Sequence, residues 1–81
     1  MKVAIFYCTA WGYAPKAFRV KDEIEKAYKQ AEVFLIPKRG GFFDIIVDDK
    51  PIFSKTEKVG TKAERFPEPG EIISLMKKAG F

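Results

Sequence analysis

The single cysteine of the chain and the residues after it are spaced in a way that could support redox chemistry. Cys8 ends a short apolar run, and Trp11 stands three positions later in the segment "YCTAWGYAPKA" of residues 7–17. A Cys-x-x-Cys motif at the end of a strand and the start of a helix performs thiol–disulfide exchange, in which the thiolate of one cysteine is the nucleophile. An indole occupies the second cysteine position here, so the motif is incomplete as written.

Residue types missing from the sequence exclude several other kinds of active site. With no histidine and one cysteine, the chain cannot assemble a His/Cys zinc site or a Ser-His or Cys-His nucleophile. Its glycines form no phosphate-binding fingerprint, and "KRGGFFD" at 38–44 is interpreted as a turn into a strand. The i,i+4 pairs Asp22–Lys26 and Glu25–Lys29 are typical of a solvated helix face. We therefore find no acid–base pair.

Length and composition predict one compact domain over residues 1–81. The apolar fraction is 47% and the aromatic fraction 15%, which is typical of a folded domain with a small core. The longest apolar run, Val3 to Ala10, is too short to cross a bilayer, so no membrane association is expected. A lone cysteine excludes an internal disulfide framework and fits a reducing compartment. The expected localisation is cytoplasmic.

The first half of the chain has the pattern of a strand, a helix and a second strand. Val3–Tyr7 is a continuous apolar run, which predicts a central strand buried on both faces. From Pro15 onward a helix is predicted by an apolar stripe at Ala17, Val20, Ile24, Ala27, Tyr28 and Ala31. A short apolar strand follows at Val33–Ile36, and a strand–helix–strand unit of this length predicts a parallel pair of strands.

The second half predicts a hairpin and a second helix. Phe42–Val47 and Ile52–Ser54 flank an acidic turn at Asp48–Lys50, and Gly40–Gly41 supplies the turn before them. The final helix is predicted by the spacing of Ile72, Leu75, Met76 and Ala79. Between the hairpin and this helix, Thr56–Pro69 is long for a connection and is expected to be mobile, with contact to a partner as the alternative. The order β-α-β-β-β-α predicts an α/β (α+β) fold with a mixed four-stranded sheet and two helices, the minimal thioredoxin-like arrangement.

This arrangement places a reactive loop at the carboxyl end of the first strand. In such sheets the loop after the strand and the amino terminus of the next helix converge on one site. Cys8 lies in that loop, where the positive end of the helix dipole favours a thiolate or selenolate. Lys16 and Arg19, in the first turns of the helix, are expected to add positive charge nearby.

The residues around Cys8 resemble a known family signature. "YCTAWGYAPKA" is similar to the motif of selenoprotein W and its Rdx relatives, Tyr-Cys-x-x-selenocysteine-Gly-Tyr-x-Pro-Lys-Ala, in which cysteine often replaces selenocysteine. Further similarity is carried by "EIEKAY", "LIPKRGGFFDIIVDDKPIFSK" and "RFPEPGEI". The resemblance spans nearly the whole chain and implies a thioredoxin-like fold.

Two features depart from that family pattern. Trp11 occupies the selenocysteine position, and the segment "TEKVGTKAE" at 56–64 is longer than the usual connection. Selenocysteine is encoded by UGA, which differs by one base from the tryptophan codon UGG. Our hypothesis is that Trp11 stands in for selenocysteine; the alternative is an aromatic side chain that caps the sheet edge.

The resemblance implies thiol/selenol redox chemistry for this chain. Position 11 would be the reactive selenol or thiol and Cys8 its resolving partner, supported by loop and helix residues Thr9, Ala10, Gly12, Tyr13 and Lys16. No bound cofactor is implied. Glutathione would be a co-substrate, and a thioredoxin-like thiol protein would be the alternative reductant. Whether the chain is an enzyme, such as a peroxide-scavenging thiol oxidoreductase, stays open.

Two rival functions follow from other features. The formal charge of +4 could attract nucleic acid, and "RGGFF" at 39–43 superficially matches an RNA-recognition signature. Gly41 and Phe42 stand in the wrong order for that signature, and Asp44 adds the wrong charge, so nucleic-acid binding is disfavoured. A non-catalytic module that binds unidentified protein partners is the other alternative.

Overall fold

Six elements make up the described part of the chain. The computed structural model describes residues 1–9, 13–39, 42–54 and 66–81. The elements are β1 (Lys2–Cys8), α1 (Tyr13–Ala27), β2 (Glu32–Lys38), β3 (Phe43–Val47), β4 (Lys50–Ser54) and α2 (Glu71–Lys78). This order confirms the predicted β-α-β-β-β-α succession and the α+β class.

The four strands form one mixed sheet in the order β2-β1-β3-β4. β1 pairs with β2 in parallel, as the strand–helix–strand pattern predicts, and with β3 in the antiparallel sense. β3 and β4 form the expected antiparallel hairpin. The strand that carries Cys8 is therefore central, with a neighbour on each side.

Both helices pack on the same face of the sheet and bury it. α1 contacts β1, β2 and α2, while α2 also contacts β4. On this face Val3 lies between Val33 and Val47 in the pairing register, and Val3 and Val47 are fully buried. Burial of such side chains stabilises the fold by about 1.5–3 kcal/mol each.

The opposite face of the sheet is not covered by any described element, which corrects the prediction that β1 is buried on both faces. Ala4 on this face is half-buried, and its register partner Phe34 is 48% exposed. A continuous apolar run is typical of a strand in a sheet that has helices packed on both faces. Here the two helices share one face, so β1 alternates between buried and half-buried positions along most of its length.

α1 begins two residues before the predicted start and ends before the predicted stripe does. Pro15 lies within its first turn, where a missing N–H costs no helical hydrogen bond. Because the helix ends at Ala27, Lys29 is outside it and the predicted Glu25–Lys29 pair is wrong: Glu25 instead accepts a hydrogen bond from Lys21 Nζ at 2.7 Å. The Asp22–Lys26 pair is present at 3.0 Å. Ala27 itself is exposed.

The hairpin is tighter than predicted because its loop has two residues. Asp48 and Asp49 both have positive φ, 47° and 69°, which defines a type I′ turn suited to the twist of an antiparallel pair. The register then shifts between Ile45 and Ile46, so that Ile52 on β4 is an extra residue. This bulge explains why the consecutive residues Ile52 and Phe53 are both buried.

Two side chains of α1, Arg19 and Glu23, hold the residues just before α2, and we call these contacts the clasp. The Arg19 guanidinium donates a hydrogen bond to the Pro67 carbonyl and pairs with the Glu23 carboxylate, 3.6 Å from Nε to Oε2. Glu23 Oε1 in turn accepts the Gly70 backbone N–H at 3.3 Å. Gly70 has φ 80°, a conformation that glycine adopts without steric cost. The clasp joins α1 to the residues just before α2.

Some sequence predictions concern residues that the structure does not describe. The turn at Gly40–Gly41 lies outside the described residues, as does most of the connection predicted to be mobile, residues 56–65. The last part of that connection is described, and there Pro67 is fully buried.

Candidate functional site

Cys8 is the last residue of β1 and lies at the carboxyl end of the central strand. Its backbone N–H donates to the Phe42 carbonyl at 2.9 Å, which continues the β1–β3 ladder by one residue. On the other side it is in register with Lys38, the last residue of β2. Cys8 is only 4% exposed. Thiol chemistry at this position therefore needs a local opening to admit a second sulfur atom.

An aromatic cluster lies beside the end of β1. The ring of Phe66 meets Tyr13 at 4.8 Å and Phe43 at 5.3 Å between centroids, both edge to face. Phe43 is the register partner of Tyr7, the residue before Cys8. The sequence singled out Tyr13 for this site but not Phe43 or Phe66, because nothing local in the sequence brings residue 66 to the start of α1.

The two cations predicted to lie near Cys8 have different environments. Lys16 is exposed, and its ammonium lies 5.5 Å from the centroid of the Phe66 ring. This places Lys16 at the aromatic cluster, with an approach distance typical of a cation–π contact. Arg19 is held in the clasp with Glu23 and Pro67, so a carboxylate partly offsets its charge. Of the two, Lys16 is the cation available to an approaching anion.

A second group of cations surrounds a small groove next to Cys8. The groove has a volume of about 160 Å³ and is lined by Thr9, Pro37, Lys38 and Arg39. The Lys38 ammonium lies 5.0 Å from the ring of Phe42. None of these described lining residues is acidic, so the field of the groove favours an anionic ligand. Sequence analysis missed Lys38 and Arg39 as site residues, although parallel strands imply that the residues ending β2 lie beside those ending β1.

A larger groove, of about 340 Å³, lies at the opposite end of β1. Its lining consists of Lys2, Val3, Ala4, Phe34, Ile46, Asp48 and Asp49. Size alone would make this groove the default candidate for a ligand site. These lining residues include no thiol or other strong nucleophile, and the groove is separated from Cys8 by the length of the strand. The smaller groove is therefore the one that chemistry favours.

The described residues contain no cluster of His, Cys, Asp and Glu that could hold a metal ion. In the same part of the chain, neither helix is long and apolar enough to span a membrane. Of the residues predicted to form the redox loop, Cys8 ends β1 and is followed by Thr9, while Tyr13 and Lys16 lie in the first turn of α1 beside the Phe66 ring. Their shared role in redox chemistry stays a prediction. Ala10, Trp11 and Gly12 lie outside the described residues, so their part in the site stays a prediction.

A mixed four-stranded sheet with two helices, in the order β-α-β-β-β-α, is consistent with a small thioredoxin-like fold. The Rdx family model matches residues 2–78, and the chain belongs to the Rdx family. The comparison with curated proteins gives no significant match. Family membership agrees with the resemblance carried by the segment around Cys8.

Proposed function

We propose that this chain is a thiol/selenol redox protein that acts through positions 8 and 11. The observation that carries the proposal is the place of Cys8, at the end of the central strand and shortly before the amino terminus of α1. Aligned amides at such a helix start stabilise a thiolate or selenolate. In the cytoplasm, the compartment we expect for it, glutathione or a thioredoxin-like protein would supply the electrons.

The reaction follows from the chemistry of a selenol or thiol next to a second thiol. With selenocysteine or cysteine at position 11, the anion attacks a peroxide oxygen, the O–O bond breaks, and an alcohol or water leaves after protonation. The Cys8 thiol then attacks the oxidised atom, releasing water and forming a bond between positions 8 and 11. Two molecules of glutathione reduce this bond and leave as one glutathione disulfide.

The cations beside Cys8 support glutathione as the reductant. Glutathione carries two carboxylates and one ammonium, and it is anionic near neutrality. Lys38 and Arg39 line the groove next to Thr9, and Lys16 lies at the aromatic cluster. These side chains would attract the carboxylates and orient the thiol toward the end of β1.

Trp11 interrupts this cycle in the sequence as written. An indole forms no bond to sulfur or selenium, so the bridge between positions 8 and 11 cannot form. We propose that Trp11 occupies the place of selenocysteine, through UGA read as tryptophan or through replacement of the residue. Cys8 alone could still exchange with glutathione disulfide to give one mixed disulfide and one released glutathione thiolate.

The test compares the protein as written with its Trp11→Cys variant. Glutathione-coupled and thioredoxin-coupled reduction of peroxide and disulfide should be absent in the first protein and present in the second. Mass spectrometry of the oxidised variant should show a disulfide between Cys8 and the thiol introduced at position 11, because the bond removes two hydrogen atoms from the reduced form. Trp11→Ser, which also removes the indole but adds no thiol, is the matched control and should stay inactive.

Two outcomes would contradict the proposal. Equal activity of the written protein and Trp11→Cys would mean that position 11 takes no part. A folded Trp11→Cys variant that forms neither an internal disulfide nor a mixed disulfide with glutathione would leave a binding role as the better interpretation. For the stand-in hypothesis, the codon at position 11 of the native gene decides: UGA supports it, and UGG overturns it.

A further inference from the structure

The outer edge of β2 is not paired with any described strand. β2 ends the sheet order, with β1 on its inner side. Its seven residues, "EVFLIPK", combine a run of apolar side chains with a charge at each end. A long apolar edge strand presents unpaired N–H and C=O groups, which makes it a template for another strand.

The backbone hydrogen bonds decide which residues of β2 present these groups. The Glu32 N–H donates to the Met1 carbonyl at 2.9 Å, on the β1 side. In a parallel ladder both backbone groups of a residue point the same way and alternate along the strand. The even-numbered residues of β2 therefore face β1, while Val33, Leu35 and Pro37 direct their backbone groups outward. The backbone of Pro37, which has no N–H, points outward. The missing N–H therefore removes no hydrogen bond between β2 and β1.

We infer that two copies of this chain associate by antiparallel pairing of their β2 edges, with the two-fold axis at Leu35. In this register Leu35 faces Leu35 of the second copy and each exchanges its N–H···O=C bonds with the other. Val33 faces Pro37, so the Val33 N–H donates to the Pro37 carbonyl. The absent Pro37 N–H costs one bond at each end of the ladder. The two sheets join into one continuous sheet.

Charge complementarity selects this register over its neighbours. With Leu35 on the axis, Glu32 of each copy lies opposite Lys38 of the other, at both ends of the interface. A shift of two residues in one direction places Glu32 opposite Ile36, and a shift in the other places Lys38 opposite Phe34. Because outward backbone groups occur only at odd positions, one-residue shifts would lose the hydrogen bonds. Opposite charges on facing strands stabilise a pair by about 0.2–1 kcal/mol.

Glu32 and Lys38 are available for this pairing. Both residues are exposed, and neither takes part in the ion pairs found among the described residues. The Lys38 ammonium lies 5.2 Å from the Phe6 ring centroid, on the uncovered face of the sheet. Glu32 belongs to the same face by strand alternation. The two side chains would therefore meet on one side of the joined sheet.

Apolar contacts at the centre of the interface add to the pairing. Phe34, 48% exposed in one copy, lies opposite Ile36 of the second copy in a non-hydrogen-bonded pair, where side chains approach most closely. The two-fold axis repeats this contact, so the uncovered faces of the two sheets form one apolar patch. A single strand pair is a small interface, so the dimer should be reversible and depend on protein concentration.

The experiment measures dimerisation of charge-reversed variants by sedimentation velocity under reducing conditions, which exclude disulfides through Cys8. Glu32→Lys and Lys38→Glu should each raise the dissociation constant at least about tenfold, because each places like charges at both ends of the interface. An equimolar mixture of the two single variants should form heterodimers with the affinity of the unmodified chain. The double variant Glu32→Lys/Lys38→Glu should also dimerise normally. Lys29→Glu, an exposed reversal outside β2, is the matched control and should leave dimerisation unchanged.

Amide exchange locates the interface independently of the variants. Raising the protein concentration should slow exchange of the Val33 and Leu35 N–H groups, while the Phe34 N–H, already bonded to β1, should not change. Three results would overturn the inference. They are a chain that stays monomeric up to about 1 mM at low salt, a dimer that the single reversals leave intact, and a mixture of reversals that fails to restore association.

Discussion

The ring of Tyr13, the first residue of α1, meets the ring of Phe66 edge to face with 4.8 Å between centroids and 81° between planes. This contact joins the start of the helix to the segment before α2, far away in the chain. It also places aromatic rings beside the end of β1, because Phe66 also meets Phe43 edge to face and Phe43 is the register partner of Tyr7.

Replacing Phe66 should destabilise the protein through this cluster. Phe66→Ala removes both edge-to-face contacts and their buried area, and we expect it to lower the free energy of unfolding by about 2–4 kcal/mol. The melting temperature should fall by at least about 8 °C for a chain of this size. Phe18→Ala is the control, since Phe18 is 54% exposed and should change the stability by less than about 0.5 kcal/mol. Equal effects of the two variants would contradict the cluster's role.

The clasp between α1 and the residues just before α2 should contribute to stability and protect the Gly70 amide from exchange. Arg19→Met keeps much of the apolar stem but removes the hydrogen bond to Pro67 and the pair with Glu23. Since the Arg19 side chain is one-third exposed, we expect a loss of only about 1 kcal/mol of stability. The Gly70 amide, which donates to Glu23, should exchange faster. Lys21→Met breaks an exposed pair within α1 and should leave the Gly70 exchange rate unchanged.

The two-residue hairpin loop offers a stabilising substitution. Asp49 has φ 69°, a left-handed conformation that costs a non-glycine residue about 1–2 kcal/mol. Asp49→Gly removes that cost but adds flexibility to the unfolded chain, for a net gain of about 0.5 kcal/mol by chemical denaturation. Asp48→Gly should show no such gain, because the Asp48 carboxylate accepts the Lys2 backbone N–H at 2.8 Å. A stabilisation by Asp48→Gly as large as that by Asp49→Gly would refute this account.

The groove lined by Thr9, Pro37, Lys38 and Arg39 should affect the glutathione kinetics of the Trp11→Cys variant. Adding Arg39→Ala should raise the KM for glutathione up to about 5-fold, because one charged contact to a carboxylate is lost at an exposed site. The turnover number should stay near that of Trp11→Cys alone, since Arg39 contacts no reacting atom in the proposed cycle. With 2-mercaptoethanol, a neutral thiol, Arg39→Ala should have no effect. The control Lys29→Ala, which lies before the start of β2 whereas the groove is at its end, should behave like the parent with both thiols.

Local patterns in the sequence were enough to predict the elements and the place of Cys8 at the carboxyl end of β1. The apolar run before Cys8, the helical stripe with Val20 and Ile24, and the acidic hairpin turn are signals carried by neighbouring residues, and each element is present. The parallel pairing of β1 and β2 also followed, because a helix between two strands permits few other arrangements. The position of Cys8 at the end of the central strand is a direct consequence.

The order of elements and the family signature follow from the sequence, whereas the surfaces that these elements cover depend on tertiary packing. Because α1 and α2 pack on the same face of the sheet, Phe34 on the other face is exposed. No local sequence pattern specifies that the crossover helix and the later helix pack on the same face. Phe66 reaches Tyr13, and Arg39 reaches the groove beside Thr9, only after the chain has folded back on itself. Such contacts depend on the sum of many long-range packing energies, so they cannot be read from residues that are neighbours in sequence.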